Sequence, residues 1–189
     1  MIIGITGKKR SGKDTIADYL IDTRAFGGYK FATPIKNAVA DIFLWDDRWV
    51  NGEFKETVDP RWGISPRQAQ QVMGTELFRE RMPEVLEDFS TLIGSDIWVK
   101  RFQYWYEGLP EHFNVVVSDV RFKNEAAIIT AMGGKIIRVK RDVLESNDTH
   151  ASEVEMEMIE PHYVVVNNGT IPELHAKISI LYKAMLSND

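Results

Sequence analysis

The chain has 189 residues, 44% of them apolar, and a formal net charge of -5. That is apolar mass enough for one compact domain with a small lid, and it excludes a disordered tail. The negative balance, without a long basic run, disfavours wrapping a nucleic-acid polymer, and the absence of cysteine rules out a disulfide framework or a thiolate metal site.

In chain order, residues 2–6 are a short β-branched run and read as a buried strand. The apolar start is too short for a signal peptide and lacks its basic flank, and no run approaches the roughly 18 apolar residues of a membrane span. A soluble protein with no membrane partner is expected, and the lack of cysteine fits a reducing cytoplasm. A Gly-bounded loop follows, then a helical pattern from residue 13 to about 22. Residues 29–32 read as a second strand. Pro34 marks a helix start, with Ile35, Ala38, Val39, Ile42 and Phe43 at helical spacing. Residues 46–64 are polar, aromatic and irregular. Ser65-Pro66 opens a helix expected to turn Ala69, Val72 and Met73 inward. Ser95-Asp96 caps another, running through Trp98, Val99, Phe102 and Trp105.

Residues 114–117 form a strand pattern, 123–132 a helix ended by Gly133-Gly134, and 135–139 a further strand. Residues 142–159 are acidic and helical in their second half. Residues 163–166 are a last strand, Asn167-Asn168-Gly169 a turn, and 171–186 a closing helix. Strands alternating with helices predict an α/β fold: a parallel sheet of about five strands flanked by helices.

The strongest motif is Gly7-Lys8-Lys9-Arg10-Ser11-Gly12-Lys13-Asp14-Thr15. It matches the glycine, four residues, Gly-Lys part of the phosphate-loop (P-loop) pattern, between an expected strand and an expected helix. Glycines let the backbone curl so that successive N–H groups point at one phosphate chain, and the helix start adds positive potential there. Lys9, Arg10, Ser11, Gly12, Lys13, Asp14 and Thr15 are therefore candidate ATP-binding residues, with Lys13 following the charge in transfer. The pattern normally has Ser or Thr after the lysine. Asp14 stands there instead, placed to hold a magnesium ion directly or through water, with Thr15 next to the α-phosphate.

Val115-Val116-Val117-Ser118-Asp119 is an apolar strand ending in a carboxylate, as a second metal-orienting element would be. Asp119 is thus a candidate for metal and substrate. Arg121 and Glu125 follow it, Arg121 as a candidate phosphate clamp and Glu125 as a candidate substrate contact, although both also read as surface charges. Between the two motifs lie Lys36, Arg67 and Arg79, cations suited to an acceptor phosphate. Gln68, Gln71 and Thr75 are suited to a base edge, and Trp62 and Trp98 to stacking or to the core. Arg138, Lys140 and Arg141 follow. Arg141, at a strand exit, is the best placed for a catalytic lid arginine, with a solvated surface cluster as the alternative.

These residues together resemble the bacteriophage deoxynucleoside monophosphate kinases. The resemblance rests on the loop with its Asp14, Phe31-Ala32-Thr33-Pro34-Ile35-Lys36, Trp62-Gly63-Ile64-Ser65-Pro66-Arg67-Gln68, Gly74-Thr75-Glu76 with Arg79, Asp96-Ile97-Trp98-Val99, Ser118-Asp119-Val120-Arg121-Phe122, His150-Ala151-Ser152-Glu153 and Asn167-Asn168-Gly169-Thr170. It spans nearly the whole chain. It implies a single three-layer P-loop kinase domain over 1–189, with an acceptor-binding segment at about 33–106 and a lid at about 141–160. It implies ATP with Mg2+ as donor and a deoxynucleoside monophosphate as acceptor, facing Thr33, Lys36, Arg67, Gln71, Arg79 and Trp98. Asn168 would lie near the donor adenine. A homodimer, and the host cytoplasm if phage-encoded, are also implied. Two other readings of the loop stay open. One is another small-molecule kinase resembling phosphomevalonate or dephospho-coenzyme A kinase. The other is a nucleotide-binding switch without transfer.

Overall fold

The computed structural model describes residues 1–142 and 151–187. The expected motif residue His150 lies outside the described residues, as do residues 143–150 of the expected lid. The chain divides into two compact units: Met1–Lys30 with Gly108–Asp189, and Phe31–Glu107.

The first unit is built on five parallel strands in the order β2-β3-β1-β4-β5. They are β1 (Ile2–Thr6), β2 (Gly27–Tyr29), β3 (Val115–Val117), β4 (Lys135–Lys140) and β5 (Tyr163–Val166). The central strand β1 pairs Ile3 with Val116 on one side and Ile5 with Ile137 on the other. Its five residues are all buried, as a strand covered on both faces requires. Helices α1 (Lys13–Arg24), α8 (Lys123–Ala131), α9 (Ala151–Glu157) and α10 (Ile171–Leu186) belong to this unit. Ile16, Leu20, Leu174 and Ile178 pack with Ile3, Ile5, Ile137 and Val139 in the main core. Each such side chain stabilises by about 1.5–3 kcal/mol on full burial.

Strand order decides where a ligand fits. After β1 the chain crosses towards β2, and after β4 it crosses the other way to β5. The loops therefore diverge beyond the carboxyl ends of two adjacent strands, where α/β sheets open a crevice.

The second unit contains α2 (Thr33–Phe43), α3 (Asp47–Val50), α4 (Pro66–Gln71), a π-helix (Val72–Arg81), α5 (Met82–Val85), α6 (Glu87–Leu92) and α7 (Ile97–Glu107). Ser65 caps α4 with a reciprocal Ser65–Gln68 capping box, as the Ser-Pro signal predicts. The expected inward row then fails at its second member. Ala69 is buried, but Val72 is 54% exposed. Val72 opens the π-helix, whose wider turn rotates side chains off the 3.6-residue register. Strand β2 also differs, ending at Tyr29 instead of running through residue 32. Phe31 and Ala32 already lead into α2, which Pro34 favours from its first turn.

Residues 46–64 are less irregular than their composition suggests. Asp46 caps α3, and Asp59 pairs with Ile64 across a tight turn. Asp59 is buried and accepts a hydrogen bond from Trp45 Nε1 at 2.8 Å and from Arg61 Nη2 at 2.7 Å. The Arg61 bonds, with Trp45, hold its carboxyl far below the usual range. Such a carboxylate contributes stability above its unfolded pKa, near 4, and loses it as pH falls towards the folded value. An Asp59→Asn variant is expected to melt several degrees below wild type at pH 7, with the gap narrowing by about pH 3. A gap independent of pH in paired thermal melts would contradict the charged role.

Candidate nucleotide site

The loop between β1 and α1 turns on two glycines with left-handed φ, Gly7 at 137° and Gly12 at 107°. A side chain could not replace either. A Cβ on Gly7 would stand 2.4 Å from the Val139 carbonyl oxygen, and one on Gly12 2.4 Å from Asn167 Nδ2. Arg10 also has a positive φ, 65°, a conformation that costs a non-glycine residue about 1–2 kcal/mol. Strain of that kind persists where surrounding structure imposes it, often at ligand sites.

Lys13, the first residue of α1, is buried and folds back on its own loop. Its Nζ donates to the carbonyls of Gly7 at 2.6 Å and Lys8 at 2.7 Å. Burial first, and then the Arg121 guanidinium, push its pKa down to about 8, against the pull of Asp14 and Asp119. The structure thus brings Lys13 and Asp14, from the start of α1, within electrostatic reach of Asp119 and Arg121, from beyond β3. Ser118 Oγ reaches Asp14 Oδ1 at 3.5 Å, linking the end of β3 to α1. The hydroxyls of Thr6 and Ser11 are buried and make no hydrogen bond among the described residues. At a loop of this shape, unsatisfied buried hydroxyls suit a polar ligand.

A cleft of about 410 Å³ opens beside the loop, lined by Arg10, Gly12, Lys13, Thr15, Arg141 and Asn167 among others. Five of those six residues carry the phosphate-loop and lid expectations. Exposed Lys9 and buried Ser11 belong to the same loop. Asn167 is a site residue that the sequence reading misses. It is buried, and its Nδ2 donates to the Ser11 carbonyl at 2.8 Å, tying the end of β5 to the loop. Its neighbour Asn168, expected near the adenine, donates to Asp142 Oδ2 and accepts from the Asp142 N–H at 3.1 Å. Burial and partner both distinguish the two.

Arg121 pairs with Glu153 of α9, a buried carboxylate. Arg138 donates to the carbonyls of Met156, Glu157 and Ile159, so it fastens the C-terminal end of α9. Glu125 accepts the backbone N–H groups of Arg121 at 2.9 Å and Phe122 at 3.1 Å, capping α8. Its place fixes the backbone from which Arg121 projects. A second residue the sequence does not announce is Lys30, whose Nζ donates to Asp14 Oδ1 at 2.6 Å.

In the second unit, Lys36 Nζ donates to Asn51 Oδ1 at 2.7 Å, and Arg67 lies 3.7 Å from Glu56. Arg79, on the π-helix, is buried and reaches the Ser95 carbonyl at a marginal 3.5 Å. Trp98 is buried and donates Nε1–H to the Gly74 carbonyl at 2.8 Å. Thr33 is exposed at the start of α2, and Gln71 is half-buried at the end of α4. Trp62 is 43% exposed, edge-on to Phe43. No group of three or more His, Asp or Glu residues gathers as a metal cage among the described residues. None of their helices is long and apolar enough to cross a membrane.

A parallel sheet with a glycine loop and buried lysine after its central strand, and a carboxylate after the neighbouring one, defines a P-loop nucleotide-binding protein. The family model described as deoxynucleotide monophosphate kinase matches residues 1–51 and 53–178. A protein of Acanthamoeba polyphaga mimivirus bearing the same family description is 41% identical over 185 residues, covering 94% of each chain. The deoxynucleotide monophosphate kinase of enterobacteria phage T4 is 23% identical, covering 97% of this chain and 99% of its own. That alignment runs over 255 positions, so the phage chain carries insertions that this one lacks. The shikimate kinase of Aquifex aeolicus aligns over all of both chains with a TM-score of 0.49 and 16% identity. The chain belongs to the deoxynucleotide monophosphate kinase family.

The Asn167 amide holds the loop that must meet the phosphates. Asn167→Ala is expected to weaken binding of a non-hydrolysable ATP analogue by up to about tenfold, the worth of one such bond. Calorimetric titration would measure it. Affinity unchanged in a folded variant would remove Asn167 from the site.

Proposed function

We propose that the chain transfers the γ-phosphoryl group of ATP to the phosphate of a 2′-deoxynucleoside 5′-monophosphate, giving ADP and the deoxynucleoside diphosphate. The observation that carries this reading is the buried Lys13 in its strained glycine loop, in a chain matching the family along nearly its whole length. An acceptor phosphate oxygen attacks the γ-phosphorus in line as the bond to the β,γ-bridging oxygen breaks. The acceptor is already ionised near neutral pH, so no strong general base is needed. Rate comes from positioning and from neutralising charge.

In this reading Lys13 exchanges its two loop carbonyls for phosphate oxygens. The loop amides and the N-terminus of α1 hold the β-phosphate, and Thr15 and Ser11 supply hydroxyls. Arg121 and Arg141 stabilise charge on the group in transit. Asp14 and Asp119 are hard oxygen donors, and Asp14 already engages a cation, the Lys30 ammonium. That donor set fits Mg2+, which takes one or two carboxylates, substrate phosphates and water. When bound, the ion would neutralise β- and γ-phosphate charge.

Lys36, Arg67 and Arg79 are the proposed acceptor-phosphate cations. Trp98, Gln71 and Thr33 are proposed for the nucleoside. Arg79→Ala should raise the acceptor KM by about tenfold or more with a smaller change in kcat, because it removes a charge-assisted contact made in the ground state. An unchanged KM would make Arg79 structural. The function itself is tested by ADP release with a panel of monophosphates. Release should depend on a deoxynucleoside monophosphate and fall to near background in Lys13→Ala. Release indifferent to any acceptor would favour a switch. Turnover of phosphomevalonate or dephospho-coenzyme A alone would favour another small-molecule kinase.

A further inference from the structure

Asp14 stands where the phosphate-loop pattern normally has a neutral hydroxyl. A carboxylate there brings a full negative charge to the edge of a site meant for a polyanion. Its side chain is 68% exposed. Uncompensated, it would repel the incoming phosphate chain. The fold provides compensation at a fixed place. Lys30, immediately after β2, reaches Asp14 Oδ1 with its ammonium at 2.6 Å. Strand β2 pairs with β3, whose end carries Ser118 and Asp119, so Lys30 and Asp119 leave the carboxyl ends of neighbouring strands.

We infer that Lys30 is a built-in counter-cation for Asp14, holding the carboxylate neutralised until a metal–nucleotide complex arrives. This rests on the reading of Gly7 to Thr15 as an ATP site. With Lys30 in place, the loop meets a nucleotide with the charge of Asp14 already offset, even in the absence of a divalent ion. When the metal comes with the nucleotide, two cations compete for Asp14 and the ammonium gives way.

The consequence is a specific change in metal dependence. Lys30→Gln takes this counter-charge away from Asp14. Binding of a metal-free, non-hydrolysable ATP analogue in EDTA should weaken by about fivefold, the upper end for one partly exposed charge pair. Binding of the same analogue with Mg2+ should stay within about threefold of wild type, or tighten. The ratio of the two affinities, measured by calorimetric titration, therefore widens. Lys30→Arg should restore the wild-type ratio. In the Lys30→Gln/Asp14→Asn double variant the loss in EDTA should disappear, because the charge needing compensation is gone. Equal weakening with and without Mg2+, or no change in either, overturns the inference. So does a loss in EDTA that persists in the double variant. Failure of wild type to bind the analogue under both conditions overturns the ATP-site reading, and the inference with it.

Discussion

A lysine ammonium held inside the protein by two carbonyls of its own loop is the constraint around which the rest is arranged. Lys13 Nζ sits 2.6 and 2.7 Å from the carbonyls of Gly7 and Lys8. Withdrawing that charge from water is costly, and the cost shows in a pKa pushed down to about 8. Only a loop that curls completely around the ammonium can offset it. That demands left-handed glycines at both ends and a left-handed Arg10 between them. It also demands neighbours that leave no room for anything larger: the Val139 carbonyl beyond one glycine, the Asn167 amide beyond the other. The same curl aims loop amides and the start of α1 at one point, ready for an anion.

Opposite charges meet around this point. Asp14 has Lys30, and Arg121 has Glu153. Each pair links elements distant in sequence, so the electrostatics also fasten the loops beyond the strand ends. Arg138 and Glu125 do related work without entering the cleft. One ties the end of α9 through its carbonyls, and the other caps α8 below Arg121. Phosphoryl transfer asks for little bond-making chemistry from the protein and much positioning of charge. A site of partly exposed cations and carboxylates paired around a buried lysine suits that task.

Much of this arrangement is legible in the amino-acid sequence. β5 and α10 fall where a β-branched run, then Thr170 and Pro172, place them, because strand propensity and a capping box are local signals. The phosphate loop is legible because its glycines are required by backbone geometry and not by distant partners. Other features depend on tertiary contact and leave no such trace. The stretch from Val72 reads as ordinary helix, since the residues that favour 3.6 per turn also tolerate the π form. In Asn167-Asn168 both amides look alike, and only folding turns the first towards Ser11. Lys30 pairs with Asp14 across 16 residues, a separation no short motif spans. The proposed acceptor side is the least legible. Its cations are single residues on short helices, with their own partners in Asn51, Glu56 and Ser95.

The central claim is that one chain binds the donor triphosphate and the acceptor monophosphate together and passes a phosphoryl group between them. The most direct measurement is the affinity of a bisubstrate analogue, adenosine and a deoxynucleoside joined through five phosphates, compared with ATP alone. Two linked sites predict binding tighter than ATP by about a hundredfold or more, provided the linker spans them. The deoxyguanosine and thymidine versions of the analogue would cover a purine and a pyrimidine. Affinity no better than that of ATP for either version would contradict the account.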